Sequence, residues 1–177
     1  MTPGPARDLD PDPGAGAGPG RDRDPAGRPR NSRPRDELGR PLPRGETGAE
    51  RVPEDLSLPP ADALALAQHL LDSGRPFHAH EVLEASWKQA PQPERELWRG
   101  LAQVAVGLTH VQRGNARGAA ALLRRGAERV GGYAGTAPHG IDAAGVARAS
   151  GGLADRIEAA GGVAAVSSPP RISLTRS

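Results

Sequence analysis

Two neighbouring stretches decide the fold: Phe77-His78-Ala79-His80-Glu81-Val82-Leu83-Glu84-Ala85-Ser86-Trp87, and Leu97-Trp98-Arg99-Gly100-Leu101-Ala102-Gln103-Val104-Ala105-Val106-Gly107-Leu108-Thr109-His110-Val111. Neither alternates apolar and polar residues as a strand would. At about 100° per residue, Phe77, His80, Leu83, Glu84 and Trp87 share one arc of a helix, with His78 and Glu81 outside it. In the second stretch Leu97, Leu101, Val104, Leu108 and Val111 recur at spacings of three and four, which is again helical. A second stripe on that helix reads Gly100, Gln103, Gly107, His110. Each interior glycine costs a helix about 1 kcal/mol relative to alanine, so the pair predicts close approach of another helix. The expected neighbour is the Phe77–Trp87 helix.

Working outward, the spacing predicts helices over 61–72, from Pro76 to about Ala90, over 94–113, and from Asn115 as a cap to about Val130. Gly74 and Gly114 fall where left-handed caps end helices. Linkers this short join antiparallel neighbours, so the fold class expected is all-α: a small antiparallel bundle of four to six helices over residues 56–160. Beyond it, Asp142 is placed to cap a short helix through 149. Leu153, Ile157 and Ala160 suit another, with glycine pairs at 151–152 and 161–162 as breaks. Residues 161–177, with Ser167-Ser168-Pro169-Pro170, read as a flexible tail.

The chain of 177 residues carries 24 glycines and 19 prolines, well above ordinary usage. Residues 1–55 hold 11 of the prolines and 9 of the glycines, with 10 arginines against 11 acidic residues in short-range alternation such as Arg21-Asp22-Arg23-Asp24. Such a segment cannot bury enough apolar surface to offset its conformational entropy, and it reads as a disordered extension. The absence of cysteine excludes disulfides, iron–sulfur clusters, Cys-ligated zinc and thiol nucleophiles. No apolar run approaches the roughly 20 residues of a membrane span, and Met-Thr-Pro-Gly-Pro opens no apolar leader; the expectation is a soluble cytoplasmic protein with no membrane partner.

Chemistry concentrates on the two quoted stretches. A face holding Phe77 and Trp87 is expected to be buried, and it would carry His80 and Glu84 with it, which is costly unless they are paired, hydrogen-bonded or bound to metal. If this face met the glycine stripe, His80 and Glu84 would stand opposite Gln103 and His110. Two imidazoles and a carboxylate, His80, Glu84 and His110, would make a minimal three-point site for zinc or manganese, with Glu81 beside it as a supporting carboxylate. The same groups could serve as a general acid and base, or simply as a buried hydrogen-bond network. His80-Glu81-Val82-Leu83-Glu84 is not the zincin His-Glu-x-x-His, and no di-iron Glu-x-x-His is present.

The string Phe77 to Trp87, followed by Gly100-Leu101-Ala102-Gln103-Val104-Ala105, His110 and Arg113-Gly114-Asn115-Ala116-Arg117-Gly118-Ala119, resembles the mainly prokaryotic helical family called "domain of unknown function 309". The resemblance covers about 60–130. It carries Phe77, His80, Glu81, Glu84 and Trp87 onto a family pattern of Phe followed by His-Glu-x-x-Glu-x-x-Trp, and also carries Gly100, Gln103, His110, Gly114, Asn115 and Gly118. Pro138, Gly140, Ile141 and Asp142 match a looser signature. His78 stands where the family often has an aromatic residue, and Ala102 where it often has isoleucine. The resemblance implies a compact helical bundle and no particular reaction.

Two functional readings follow. The chain is either a helical bundle whose partly buried His/Glu site takes a divalent metal, or a non-catalytic adaptor for protein or RNA in which that cluster is structural. Arg113, Arg117, Arg124, Arg125 and Arg129 form an edge that reads first as a solvated face, and one lysine among 23 basic residues gives no strong nucleic-acid signal. Self-association is compatible with so alanine-rich a bundle, and no small-molecule or protein ligand is specified.

Overall fold

A computed structural model describes residues 34–43, 45–49, 52–53, 56–165 and 170–176. Most of the extension expected to be disordered, residues 1–33, lies outside the described residues. Five helices follow in order: α1 (Pro60–Asp72), α2 (Pro76–Gln89), α3 (Arg95–Gln112), α4 (Ala116–Gly131) and α5 (Ala143–Ala159). A short 3₁₀ turn, Gln92–Glu94, leads into α3, and another, Val163–Ala165, follows α5. No strand occurs among the described residues, which carry two isolated bridges, Arg35 with Pro41 and Ile141 with Thr175.

The ends of these helices follow from local chemistry. Pro60 and Pro76 occupy first-turn positions, where a missing N–H is no loss. Gly74 (φ +71°) and Gly114 (φ +77°) turn the chain left-handed, and the following amides, Arg75 N and Asn115 N, close back on Leu70 O and His110 O at 2.8 and 2.9 Å. The Asn115 side chain accepts from Gly118 N and the Asp142 side chain from Gly145 N, both at 2.9 Å, each cap contributing about 1 kcal/mol.

Successive helices pack as neighbours, α1 on α2, α2 on α3, α3 on α4 and α4 on α5. One apolar core joins Leu64, Leu83, Leu97, Trp98, Leu101, Leu123, Leu153 and Ile157, and each such side chain contributes about 1.5–3 kcal/mol on burial.

Two expectations for the C-terminal third are corrected. Instead of two short helices, α5 runs unbroken through Gly151-Gly152, because Val146, Ser150, Leu153, Ala154 and Ile157 all bury one face against the bundle and outweigh the glycine cost. The tail is not free along its length: Ile172 and Leu174 are buried in the core. Gln68 on α1 clamps this segment, its Nε2 donating to Ile172 O at 3.2 Å and its Oε1 accepting from Leu174 N at 2.8 Å. Asp142 N donates to Leu174 O at 2.9 Å, and Arg171 makes a two-pronged ion pair with Asp72. Extended backbone with alternating apolar side chains gives no helical signal, so periodicity could not reveal it.

The described part of the N-terminal extension is likewise held. Residues 34–42 form a tight hairpin, with Leu42 N donating to Pro34 O at 2.7 Å and Gly39 N to Asp36 O at 2.8 Å. Further on, Val52 N reaches the Glu81 carboxylate at 3.4 Å, and Leu56 O accepts from Gln89 Nε2 at 2.8 Å. The segment preceding α1 therefore meets α2 near its start, its middle and its end.

Candidate functional site

The α2 face is rotated from the sequence expectation. His78, placed outside the buried arc, is 2% exposed, along with fully buried Ala79, Val82 and Leu83. Phe77, His80, Glu84 and Trp87 are half-buried. Helix α2 is sandwiched between α1 and α3, so its core face is set by the small and branched residues that fit between two helices, not by its aromatic residues. Trp87 lies at the rim with the Arg99 guanidinium 5.6 Å from its ring, whereas Trp98, one helix on, is the buried indole and donates Nε1–H to Glu94 at 3.1 Å.

The glycine stripe of α3 also meets a different neighbour. A Cβ on Gly100 would stand 2.8 Å from Val130 and 3.2 Å from Gly126 O, and one on Gly107 would stand 2.8 Å from Leu123 Cγ. Conversely, a Cβ on Gly126 would meet Gly100 O at 3.0 Å and Val104 N at 3.1 Å. The close approach is therefore α3 to α4, because α4 supplies its own glycine at the crossing and α2 has none.

This divides the expected polar cluster. Gln103 lies on the α4 side, its Oε1 accepting from Arg129 Nη1 at 2.8 Å. His110, in the last turn of α3, stands with Nδ1 2.9 Å from Asn115 Nδ2, where a Cβ on Gly118 would intrude to 2.5 Å of the same nitrogen. Gly118 thus keeps the Asn115 cap and His110 together. On α2, His80 Nε2 lies 3.3 Å from Glu84 Oε2, and Lys88 Nζ lies 2.9 Å from Glu84 Oε1. The His80 hydrogen bond, opposed by partial burial and assisted by Lys88, draws the Glu84 carboxyl down to about 2, so it is anionic at any neutral pH. His80 Nδ1 is buried and has no hydrogen-bond partner among the described residues. Glu81, beside the pair, accepts from Val52 N at 3.4 Å. Among the described residues, no group of three or more His, Cys, Asp or Glu side chains is gathered closely enough to hold a metal ion.

The arginine edge is largely engaged. Arg124 pairs with Glu158 and Asp155, and Arg129 with Glu96 at 2.8 Å. Arg113, at the end of α3, donates from Nε to Leu38 O at 2.8 Å and from Nη2 to the same oxygen. Burial there lowers the guanidinium below its usual range, with Asp36 nearby opposing the shift.

A second imidazole–carboxylate pair escaped sequence reasoning. His139 Nε2 stands 2.9 Å from Glu94 Oε2, the oxygen that also accepts from Trp98, and the Tyr133 hydroxyl donates to Pro93 O at 2.8 Å. Burial pushes the Glu94 carboxyl up, but the bonds from His139 and Trp98 hold it below its ordinary value. His139 sits at φ 58°, a conformation that few non-glycine residues adopt. The available signal was its place inside Pro138-His139-Gly140-Ile141-Asp142; the partner, 45 residues earlier, had none.

With this geometry in hand, residues 64–122, about a third of the chain, match the family model described as "Domain of unknown function (DUF309)". This stretch is similar to the DUF309 family. The DUF309 match covers most of α1, all of α2 and α3 and the first part of α4; the hairpin, α5 and the Ile172–Leu174 segment lie outside it. "Uncharacterized protein YpuF" of Bacillus subtilis (strain 168) is 44% identical over 48 residues, 27% of this chain and 28% of that protein, so the shared region spans little more than a quarter of either. No solved structure matches the chain. Among the described residues no helix is long and apolar enough to cross a membrane.

Proposed function

We propose that the helical domain is a non-catalytic binding module that grips polypeptide loops and turns along the outer edge of α2 and the end of α3. The observation that carries this reading is that Arg113, Glu81 and Gln89 each bond a main-chain group, at Leu38, Val52 and Leu56, of a segment that runs past them. Main-chain recognition by side chains at spaced positions suits a ligand that presents free backbone groups in a loop or turn. Half-buried Phe77 and the Trp87–Arg99 stack supply the apolar and planar surfaces beside those polar points. The test is selection from a random peptide library against the full chain and against Phe77→Ala and Arg113→Ala. Peptides that bind the parent and lose at least about tenfold in affinity with either substitution support the module; a library that yields none overturns it.

A second reading rests on His80. Glu84 holds its Nε2 side, and the buried Nδ1 has no partner among the described residues, which costs a folded protein about 1–3 kcal/mol unless some ligand uses it. A divalent ion or a proton-transfer substrate at this imidazole would give that nitrogen a purpose. Melting curves in EDTA and in added Zn²⁺ or Mn²⁺ test the metal form. A rise with metal that disappears in His80→Ala supports it, and curves indifferent to both reagents sink it.

A further inference from the structure

The face that ends at Arg113 is already occupied by this chain's own hairpin. Gly39, buried and at φ +72°, lies directly under the Phe77 ring, so that a Cβ at this position would collide with the ring carbons. The preceding carbonyl, Leu38 O, takes both bonds from Arg113. The turn behind this tip closes on itself: Asp36 Oδ1 accepts from Leu38 N at 3.0 Å and Arg40 N at 2.7 Å, and Asp36 N donates to Arg40 O at 3.0 Å. Arg35 Nη1 reaches Gly39 O at 2.6 Å. The hairpin thus holds its shape through internal bonds and a bond from Ala49 N to Arg35 O, and among the described residues Phe77 and Arg113 fasten its tip.

From this we infer that Phe77 and Arg113 form a recognition site for a tight turn with a glycine at its tip, that the hairpin 34–42 fills this site in cis, and that a partner protein displaying the same turn displaces it. This rests on the binding-module reading and specifies its ligand. Three features favour an exchangeable occupant over a permanent part of the core. A lone hairpin of this size is only marginally stable and opens readily. It stands outside the DUF309 match while both of its receptors stand inside it. What the site reads is a bare glycine face and a backbone carbonyl, features that any protein with such a turn can present, and a tethered copy competes at an effective concentration in the millimolar range. The Phe77 and His80 rings lie 5.9 Å apart, so displacement would also alter the surroundings of the half-buried imidazole.

The experiment uses the full chain in unmodified form and as Gly39→Val, with a synthetic peptide of residues 34–43 and the same peptide carrying valine at the glycine position. Hydrogen exchange at 36–42 should accelerate at least about tenfold in Gly39→Val, since the added branch meets the ring and the left-handed backbone is disfavoured for valine. In amide NMR titrations to about 2 mM, the glycine peptide should shift Phe77, His80 and Arg113 of Gly39→Val saturably. The valine peptide should not, and the unmodified chain should respond at least about tenfold more weakly because its site is filled. A hairpin still protected in Gly39→Val, no saturable shift, or equal shifts from both peptides would each overturn the proposal. If library peptides bind along α2 while the glycine peptide does not, the turn site falls and the module survives; if neither binds, both fall.

Discussion

The two sides of the helical domain are built on opposite principles. In the α3–α4 seam, Gly100, Gly107 and Gly126 bring helix backbones together, and the polar side chains Gln103 and Arg129 are pushed to the edge. Along the outer face of α2, backbones stay apart and side chains do the work: His80, Glu84 and Lys88 bond one another, and Glu81, Gln89 and Arg113 hold a passing chain. The seam is a close backbone contact, with Gly100 O and Val104 N near the position a Cβ on Gly126 would take. The α2 face is polar, partly exposed and covered by the segment that precedes α1. Both sides contain residues of the stretch similar to DUF309: the glycines on one side permit close packing, and the polar side chains on the other bond one another and the preceding segment.

The largest effect expected on this contrast is at the seam. Gly126→Leu would drive a side chain into Gly100 O and Val104 N, backbone atoms that cannot move aside, and should destabilise the fold by about 3 kcal/mol or more in urea denaturation. A loss under about 1 kcal/mol would mean that the seam is looser than its geometry implies. A more sensitive comparison replaces glycine by alanine at two helical positions. Gly126→Ala should still destabilise by about 1 kcal/mol, since overpacking exceeds the gain in helix propensity. Gly152→Ala, in α5 with nothing near its added methyl, should stabilise by about 0.5–1 kcal/mol. Equal signs at the two sites would remove the distinction between packed and open glycines.

The smallest effect is expected on the α2 face. Glu84 has a folded carboxyl value of about 2 against an ordinary 4.5, a lowered value, so its stabilising contribution is complete above pH 4.5 and disappears as the pH falls toward 2. Because the group is about a third exposed, solvent screening limits that contribution to less than about 1 kcal/mol. Glu84→Gln should therefore lower stability slightly at neutral pH and flatten the acid limb of a stability-versus-pH curve between 4.5 and 2. A variant with the parent's acid limb would show that the His80–Glu84–Lys88 chain contributes nothing in solution.

Two imidazole–carboxylate pairs illustrate how far a sequence can be read. His80 and Glu84 are one helical turn apart, so helix geometry alone brings them together, and the pair was visible in the sequence. His139 and Glu94 are separated by 45 residues and meet only because the α4–α5 loop returns to the start of α3. The same distinction governs the site that was expected to unite His80, Glu84, Gln103 and His110. The spacing put Gln103 and His110 on the glycine stripe, but spacing does not name the helix that a stripe faces. His78 was misassigned for a related reason: with α1 on one side and α3 on the other, the buried arc of α2 is not centred on its aromatic residues.

By itself the sequence determined the all-helical class, the starts and stops of α1 to α4, and the caps at Asn115 and Asp142, because prolines, glycines and capping side chains act within a few residues of themselves. It also supplied the His80–Glu84 pair. Tertiary structure alone decided that α4 closes on the glycines of α3, that α5 passes through Gly151-Gly152, that Ile172 and Leu174 complete the core, and that a hairpin tipped by Gly39 rests on Phe77 and Arg113. Those outcomes depend on shape complementarity and competing burial among segments far apart in the chain, and these energies are set only when all the surfaces are present together.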